Sequence, residues 1–217
     1  MPESGAKKKL LDATEKLVAE KGFDLVSVRD VTGAVKANVA AVNYHFGSRE
    51  GLMDLVTLRM LEPLNEERVK AIDSAERRHA GKMASIEDIV SAFVKPLLTT
   101  AARLGMDSGF FLTLTGRILV LPDERMLPSL ARERASVTAR YLAAIARTMP
   151  KTPAKEIAAS WKIFESGLAL SLLNLKPAED VEQMMTHWIA FAVRGFASTT
   201  PTPVPEEDER QGMLFDF

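Results

Sequence analysis

Cysteine is absent from the 217 residues, which removes disulfides, thiolate metal sites and cysteine nucleophiles in one step. Histidine occurs only at His45, His79 and His187, too scattered for a metal-ligand spacing, and there is no Gly-rich phosphate loop or paired-acid helix motif. No cofactor and no metal are expected. Long apolar runs are also missing, because Lys, Arg, Glu or Pro breaks each one before bilayer-spanning length. The opening "MPESGAKKKLLDATEKL" sets its lysines ahead of an amphipathic pattern, with no apolar core or cleavage site, so it does not read as a signal peptide. A soluble, cytoplasmic chain without membrane contact is the expectation. Nor is there an excess of one charge. The net value of −1 announces no nucleic-acid partner, yet excludes none, since a dimer needs only one basic face.

Strand signals are lacking too: no segment alternates for long and no Asn-Gly or Asp-Gly joins two apolar runs. What is present is helical periodicity within an ordinary globular composition of 47% hydrophobic and 26% charged residues. The fold class is all-α. Leu10, Leu11, Thr14, Leu17 and Val18 recur at helical spacing before Gly22 closes the segment. Ser27 caps a short helix, with Asp30 three residues on acting as a weaker form of the capping box. A turn at Val35–Ala37 leads to Asn38, the cap of a second short helix ending near Phe46. Gly47 then ends it, and Ser48 caps a long helix running to about residue 75 and bent near Pro63. The polar stretch 75–85 reads as a connection. Helices are expected over 85–104, 107–120, 122–149 and 153–175, and Pro177 opens a last one running to about Ala197.

Those last two helices speak to assembly. Val181, Met184, Met185, Trp188, Ile189, Ala192, Val193 and Phe196 form one stripe, whereas "IFESGLALSLLNL" is apolar almost all round. A helix apolar on every side is buried on every side. Helices near 153–175 and 178–197 are therefore expected to form a homodimer, the other reading being a central core helix of a monomer. Residues 200–217 form a proline-containing acidic tail, with Glu206, Glu207, Asp208, Glu209 and Asp216 against Arg210, expected to be flexible. Its end, "QGMLFDF", resembles Gln-x-x-Leu-Phe peptides that dock on replication clamps; docking onto its own subunit is equally open.

Residues 27–46 hold two short helices and a tight turn behind a longer amphipathic helix. This is the helix-turn-helix arrangement, whose second helix enters the DNA major groove. A groove that takes one helix demands small or polar outward side chains. Val39, Ala40 and Asn43 supply them, while Val42 and Phe46 anchor the other side. Tyr44 and His45 suit phosphate oxygens, as do Ser48 and Arg49 at the next helix start. Lys7, Lys8 and Lys9 add long-range attraction. If Ala40 reaches the groove it touches only a thymine methyl, so Asn43 is the main hydrogen-bonding reader and DNA shape contributes.

"SVRDVTGAVKANVAAVNYHFGSREGL" closely resembles the tetracycline-repressor family of bacterial transcription regulators. The shared pattern is Ser/Thr-x-Arg-Asp-Val/Ile, the turn, then Asn-Tyr-His-Phe-Gly-Ser-x-Glu-x-Leu. The resemblance implies a homodimer with a three-helix DNA-binding domain at 5–65, a larger helical effector-binding and dimerisation domain at 66–199, and the tail at 200–217. It implies a palindromic DNA operator and a small-molecule effector as partners. The Asn-Tyr-His-Phe form with "EPLNEER" after it is most similar to the branch responding to fatty acids or acyl-CoA thioesters. The implied DNA-contacting set is Ser27, Arg29, Lys36, Asn38, Val39, Ala40, Asn43, Tyr44, His45, Ser48 and Arg49. One departure stands out. The family's turn usually carries glycine, where this chain has Val35-Lys36-Ala37-Asn38. Lys36 then either bears the cost of a left-handed backbone or faces the DNA backbone.

For the effector, Phe93, Leu97, Phe110, Phe111, Leu114, Ile118, Trp161 and Phe164 are candidate walls of an apolar cavity, plain core packing being the alternative for each. Arg103 and Arg117 are the charged candidates, Arg117 because an unpaired charge in "FFLTLTGRILVL" would be costly. The expected action is a two-state one, in which an effector favours a spacing of the two recognition helices that does not match the groove. Two rival readings are a helical interaction module that never touches DNA and an all-α enzyme, the latter without a motif in its support.

Overall fold

In the computed structural model, residues 5–78, 83–122, 127–176 and 180–198 are described. Ten α-helices and no strand occur among them: α1 Gly5–Lys21, α2 Val28–Ala34, α3 Ala40–Phe46, α4 Arg49–Arg78, α5 Ile86–Val94, α6 Pro96–Leu104, α7 Ser108–Leu119, α8 Pro128–Thr148, α9 Ala154–Leu173 and α10 Val181–Ala197. The all-α expectation holds. None of these helices is long and apolar enough to cross a membrane.

The N-terminal helices form as their spacing dictates. α1 buries Leu10, Leu11, Thr14 and Val18 along one face. Gly22, at φ 87°, ends it and returns its N–H to the Val18 carbonyl at 2.8 Å. The capping box is complete, since the Ser27 hydroxyl accepts from the Asp30 N–H while the Asp30 carboxylate accepts from the Ser27 N–H. Hydrogen bonds donated by the Ser27 hydroxyl and the Ser27 N–H hold the Asp30 carboxyl below its ordinary pKa.

α4 joins the two parts of the molecule. Its 30 residues span about 45 Å at 1.5 Å per residue. The first turns pack on α1 and α3, and the later ones on α5, α6 and α8. Leu52, Val56, Met60, Leu64, Ile72 and Ala75 are buried along its length. Pro63 lies inside this helix as expected, and its carbonyl accepts from Arg103 Nη2 at 3.1 Å.

Beyond α4 two boundaries differ from expectation. The single helix expected over 85–104 is two helices, because Pro96 has no N–H to continue the ladder and α6 restarts on it. The helix expected from 122 begins at Pro128, with 123–126 outside the described residues. The same holds for 79–82, for Pro177 and for the tail from 199 onward, so the "QGMLFDF" expectation lies outside the described residues. α10 starts instead behind Asp180, whose side chain accepts from the Gln183 N–H. α7 and α9 approach closely: a Cβ built on Gly116 would stand 2.7 Å from the Leu173 backbone nitrogen.

Candidate nucleic-acid interface and interior cavity

α3 sorts its side chains as a groove-reading helix must. Val42 is fully buried and Phe46 half-buried against the core, while Val39, Ala40 and Asn43 face solvent. Tyr44 is 86% exposed, with His45 half-exposed beside it at a ring separation of 5.0 Å. Asn38 caps the helix: its Oδ1 accepts from the Ala40 N–H at 2.9 Å. Val39 already has helical dihedrals, so the cap lies one residue outside the first hydrogen-bonded turn.

Lys36 takes the left-handed option. At φ 54° it is the sole non-glycine with positive φ among the described residues. Its side chain is exposed, as is that of Arg29 on α2. The turn thus keeps the geometry that glycine would favour, and a lysine carries the cost. Gly47 supplies the second positive φ, 76°, at the exit of α3.

At the start of α4 the expected Ser48 cap forms. Ser48 Oγ accepts from the Gly51 N–H at 3.0 Å, which satisfies one orphan donor of the first turn. Arg49 is not a free cation. Its Nε donates to the Val26 carbonyl at 2.8 Å and its Nη2 to that of Phe23, so the guanidinium clamps the α1–α2 loop to α4. The two carbonyls take two of the five guanidinium N–H donors, and Nη1 stands beside Glu50 at 3.8 Å. Of the N-terminal lysines, Lys8 is paired with Asp12 at 2.6 Å and Lys9 is exposed. Gly51 is a further necessary residue that no sequence pattern marked: a Cβ there would meet the Phe46 carbonyl oxygen at 2.3 Å.

In the larger part, Phe93, Trp161 and Phe164 come together with Tyr141. Phe93 lies 5.2 Å from Tyr141 and 4.7 Å from Trp161 between ring centroids, and Trp161 lies 5.4 Å from Phe164. Leu97, Phe111, Leu114 and Ile118 are fully buried core and Phe110 is half-buried against it. Of the expected walls, Trp161 borders a cavity of about 360 Å³ between α8 and α9, with Leu119, Thr138, Leu142 and Glu165. Phe164 borders a separate hollow of about 180 Å³ between α9 and α10.

Neither charged candidate reaches that cavity. Arg103 ties α6 to α4 through the Pro63 carbonyl, with Glu66 and Glu67 at 3.6 and 3.5 Å. Arg117 leans on the end of α1, where a Cβ on Gly22 would stand 3.5 Å from its Nη1. Both join the helix blocks. The buried arginine is another one. Arg68 is 2% exposed, with its guanidinium carbon 3.6 Å from the Phe93 ring centroid. Tyr141 donates its hydroxyl to the Arg68 and Ala92 carbonyls at 2.8 Å each. A signal existed in the sequence: Arg68 stands between Leu64 and Ile72, where the α4 stripe calls for an apolar side chain.

Apolar surface also remains on the last two helices. On α9, Ile163 and Leu170 are 69% and 53% exposed, seven residues apart and so on one face, and Phe191 on α10 is 55% exposed. Trp188 packs on Gly167, where a Cβ would stand 2.8 Å from its ring.

Residues 10–56 match the profile of bacterial regulatory proteins of the tetR family. Residues 91–195 match the tetracyclin repressor-like C-terminal domain. No curated protein matches the chain. Among solved structures, the TetR family transcriptional regulator PfmR of Thermus thermophilus is similar, with a TM-score of 0.59 at 18% identity, over 86% of this chain and 98% of that one. AmtR of Mycobacterium smegmatis aligns with a TM-score of 0.61 at 15% identity, over 90% and 88%. The ketosteroid transcriptional regulator KstR2 of Mycobacterium tuberculosis aligns with 0.63 at 14%, over 90% and 96%. At these identities the likeness is one of fold.

Proposed function

Because the chain belongs to the tetR family of bacterial transcription regulators, we propose that it is a repressor that binds a palindromic operator as a homodimer and releases it when a small, largely apolar effector binds. The observation that carries this reading is the sorting of α3, with Val42 buried and Val39, Ala40, Asn43 and Tyr44 turned outward. Those outward side chains are small or polar enough for the major groove, with Asn43 as the reader. Arg29, Lys36, Tyr44, His45 and the α4 start at Ser48 flank it and contact phosphates. Ser27 and Asn38 act first as caps and position the helices. Arg49 acts from behind, holding the α1–α2 loop.

α9 and α10 form the dimer face through Ile163, Leu170 and Phe191, whose exposure would be costly on a monomer. Two copies then present their α3 helices to successive groove turns. The test is a footprint on the DNA flanking the chain's own gene. Paired half-sites about one helical turn apart are expected, and Asn43→Ala should lose discrimination between operator and scrambled DNA. No footprint, or full discrimination by Asn43→Ala, overturns the reading.

A further inference from the structure

The apolar stripe along α10 is left unfinished on one flank. Ile189, Ala190 and Val193 are half-buried, and with Ser91 they border a hollow of about 370 Å³ where α10 runs against α5. Lys95 and Arg194 stand on the same lining, opposed by the single carboxylate of Glu87. Both cations are exposed, and among the described residues neither has an ion-pair partner. A half-buried apolar base with a cationic edge suits an acidic segment that carries large apolar side chains.

This groove is separate from the apolar face proposed for dimerisation. Ile189 and Val193 stand two residues on either side of Phe191, which at 3.6 residues per turn puts them about 200° around the helix from it. Pairing of two copies through Ile163, Leu170 and Phe191 therefore leaves the α5–α10 groove open.

The chain itself holds a segment of the matching kind. Glu206, Glu207, Asp208, Glu209 and Asp216 outnumber Arg210, and Met213, Leu214, Phe215 and Phe217 are gathered around Asp216. Reach is no obstacle. Ile189 lies eight residues before Ala197 at the end of α10, about 12 Å at 1.5 Å per residue. The sixteen residues from Ser198 to Leu214 can span about 50 Å. A segment tethered this near acts at an effective concentration on the order of 1 mM, so a shallow groove suffices.

We propose that residues 211–217 dock in the α5–α10 groove of their own chain, with Leu214 and Phe215 against Ile189, Ala190 and Val193 and the tail carboxylates beside Lys95 and Arg194. Ion pairs at an exposed edge are weak and screened by salt. The apolar contact holds the segment, and the charges select it over other apolar peptides. α5 packs on α4 as well as on α10, so the docked segment straps α10 to the helix that leans on α4. Docking also covers Gln211–Phe215, which a partner protein then reads only by displacing it.

The absence of cysteine makes a cross-linking test clean. In the full chain, Val193→Cys with Met213→Cys puts one thiol in the groove and one in the tail. The control pairs Met213→Cys with Lys155→Cys, exposed at the start of α9. Under mild oxidation the groove pair should link within one chain about tenfold faster than the control, as tethered docking requires. The mass of the product separates a link within one chain from one between two copies. Adding Lys95→Glu and Arg194→Glu should slow the groove link about threefold or more, and so should added salt. Circular dichroism checks that each variant keeps the helical fold. A groove link no faster than the control would overturn the proposal, as would a link formed only between copies or a rate indifferent to the two charge reversals.

Discussion

The two ends of α4 treat polar groups in opposite ways. Around its first turn, polar groups are satisfied locally: Ser48 Oγ accepts from the Gly51 N–H, Ser27 Oγ from the Asp30 N–H and Asn38 Oδ1 from the Ala40 N–H, while Arg49 donates to two loop carbonyls. What remains unpaired there, such as Lys36, Asn43 and Tyr44, is exposed and hydrated. Deeper in the molecule unpaired groups lie inside: Arg68 Nη2, Arg117 Nε, Trp161 Nε1, Thr100 Oγ1 and Thr115 Oγ1 are buried without a hydrogen-bond partner. A group left so costs about 1–3 kcal/mol, while an exposed one costs almost nothing. The N-terminal end can therefore read a partner with a finished surface. The interior end keeps unsatisfied groups at a cost in stability.

The comparison breaks most visibly at two glycines. Gly116 lets α7 touch the α9 backbone, with a Cβ there 2.7 Å from the Leu173 nitrogen and 3.0 Å from the Ala169 oxygen. Backbone cannot yield as a side chain does. Gly116→Val should cost about 3 kcal/mol or more, read as a large fall in melting temperature, and should abolish effector binding. Gly51→Ala meets the Phe46 carbonyl instead and should cost about 1–3 kcal/mol. Its signature differs, because it displaces α3: operator affinity falls while ligand titration stays unchanged. If Gly51→Ala kept full operator affinity, the close seat of α3 on α4 would not matter for reading DNA.

Lys36 separates strain from charge. Lys36→Gly should relieve the left-handed backbone at φ 54°, gaining about 0.5–1 kcal/mol after the entropy of a freer unfolded chain is counted. Lys36→Gln keeps the strain and removes the charge. If the side chain meets a phosphate, both variants should lower the salt slope of operator binding by about 1, and only the glycine should raise the melting temperature. An unchanged salt slope in both would take Lys36 off the DNA.

Which of these features can be read from the chain follows from distance along it. The caps at Ser27, Asn38 and Ser48 act over two or three residues, so spacing reveals them. The strained turn follows from glycine's absence at Lys36. Arg49, Arg103 and Arg117 depart from expectation because their partners lie far off. Arg49 reaches 26 residues back to Phe23 and Arg103 40 back to Pro63. Tyr141, which holds the Arg68 turn from 73 residues away, leaves no local trace. Pro96 is a local signal, and it splits α5 from α6 where periodicity alone runs on. Of the aromatic set, Phe93, Trp161 and Phe164 come together and Trp161 and Phe164 also border hollows, a distinction periodicity cannot make, since it reports that a face is buried and not whether its packing is complete.

The smallest effect expected is at Asp30, and its sign is set by the capping box. Hydrogen bonds from the Ser27 hydroxyl and N–H favour the carboxylate and lower its folded pKa. A carboxyl whose folded pKa lies below its unfolded one adds stability that is fully present above the unfolded value. That stability fades as pH falls through the folded value. Asp30→Asn should therefore melt lower than the parent chain at neutral pH, and the gap should close in acid. The box positions α2, which α3 leans on, so operator affinity should follow the same pH trend only weakly. A melting gap that stayed constant down to the lowest pH at which both chains fold would mean that the carboxylate charge contributes nothing to the difference.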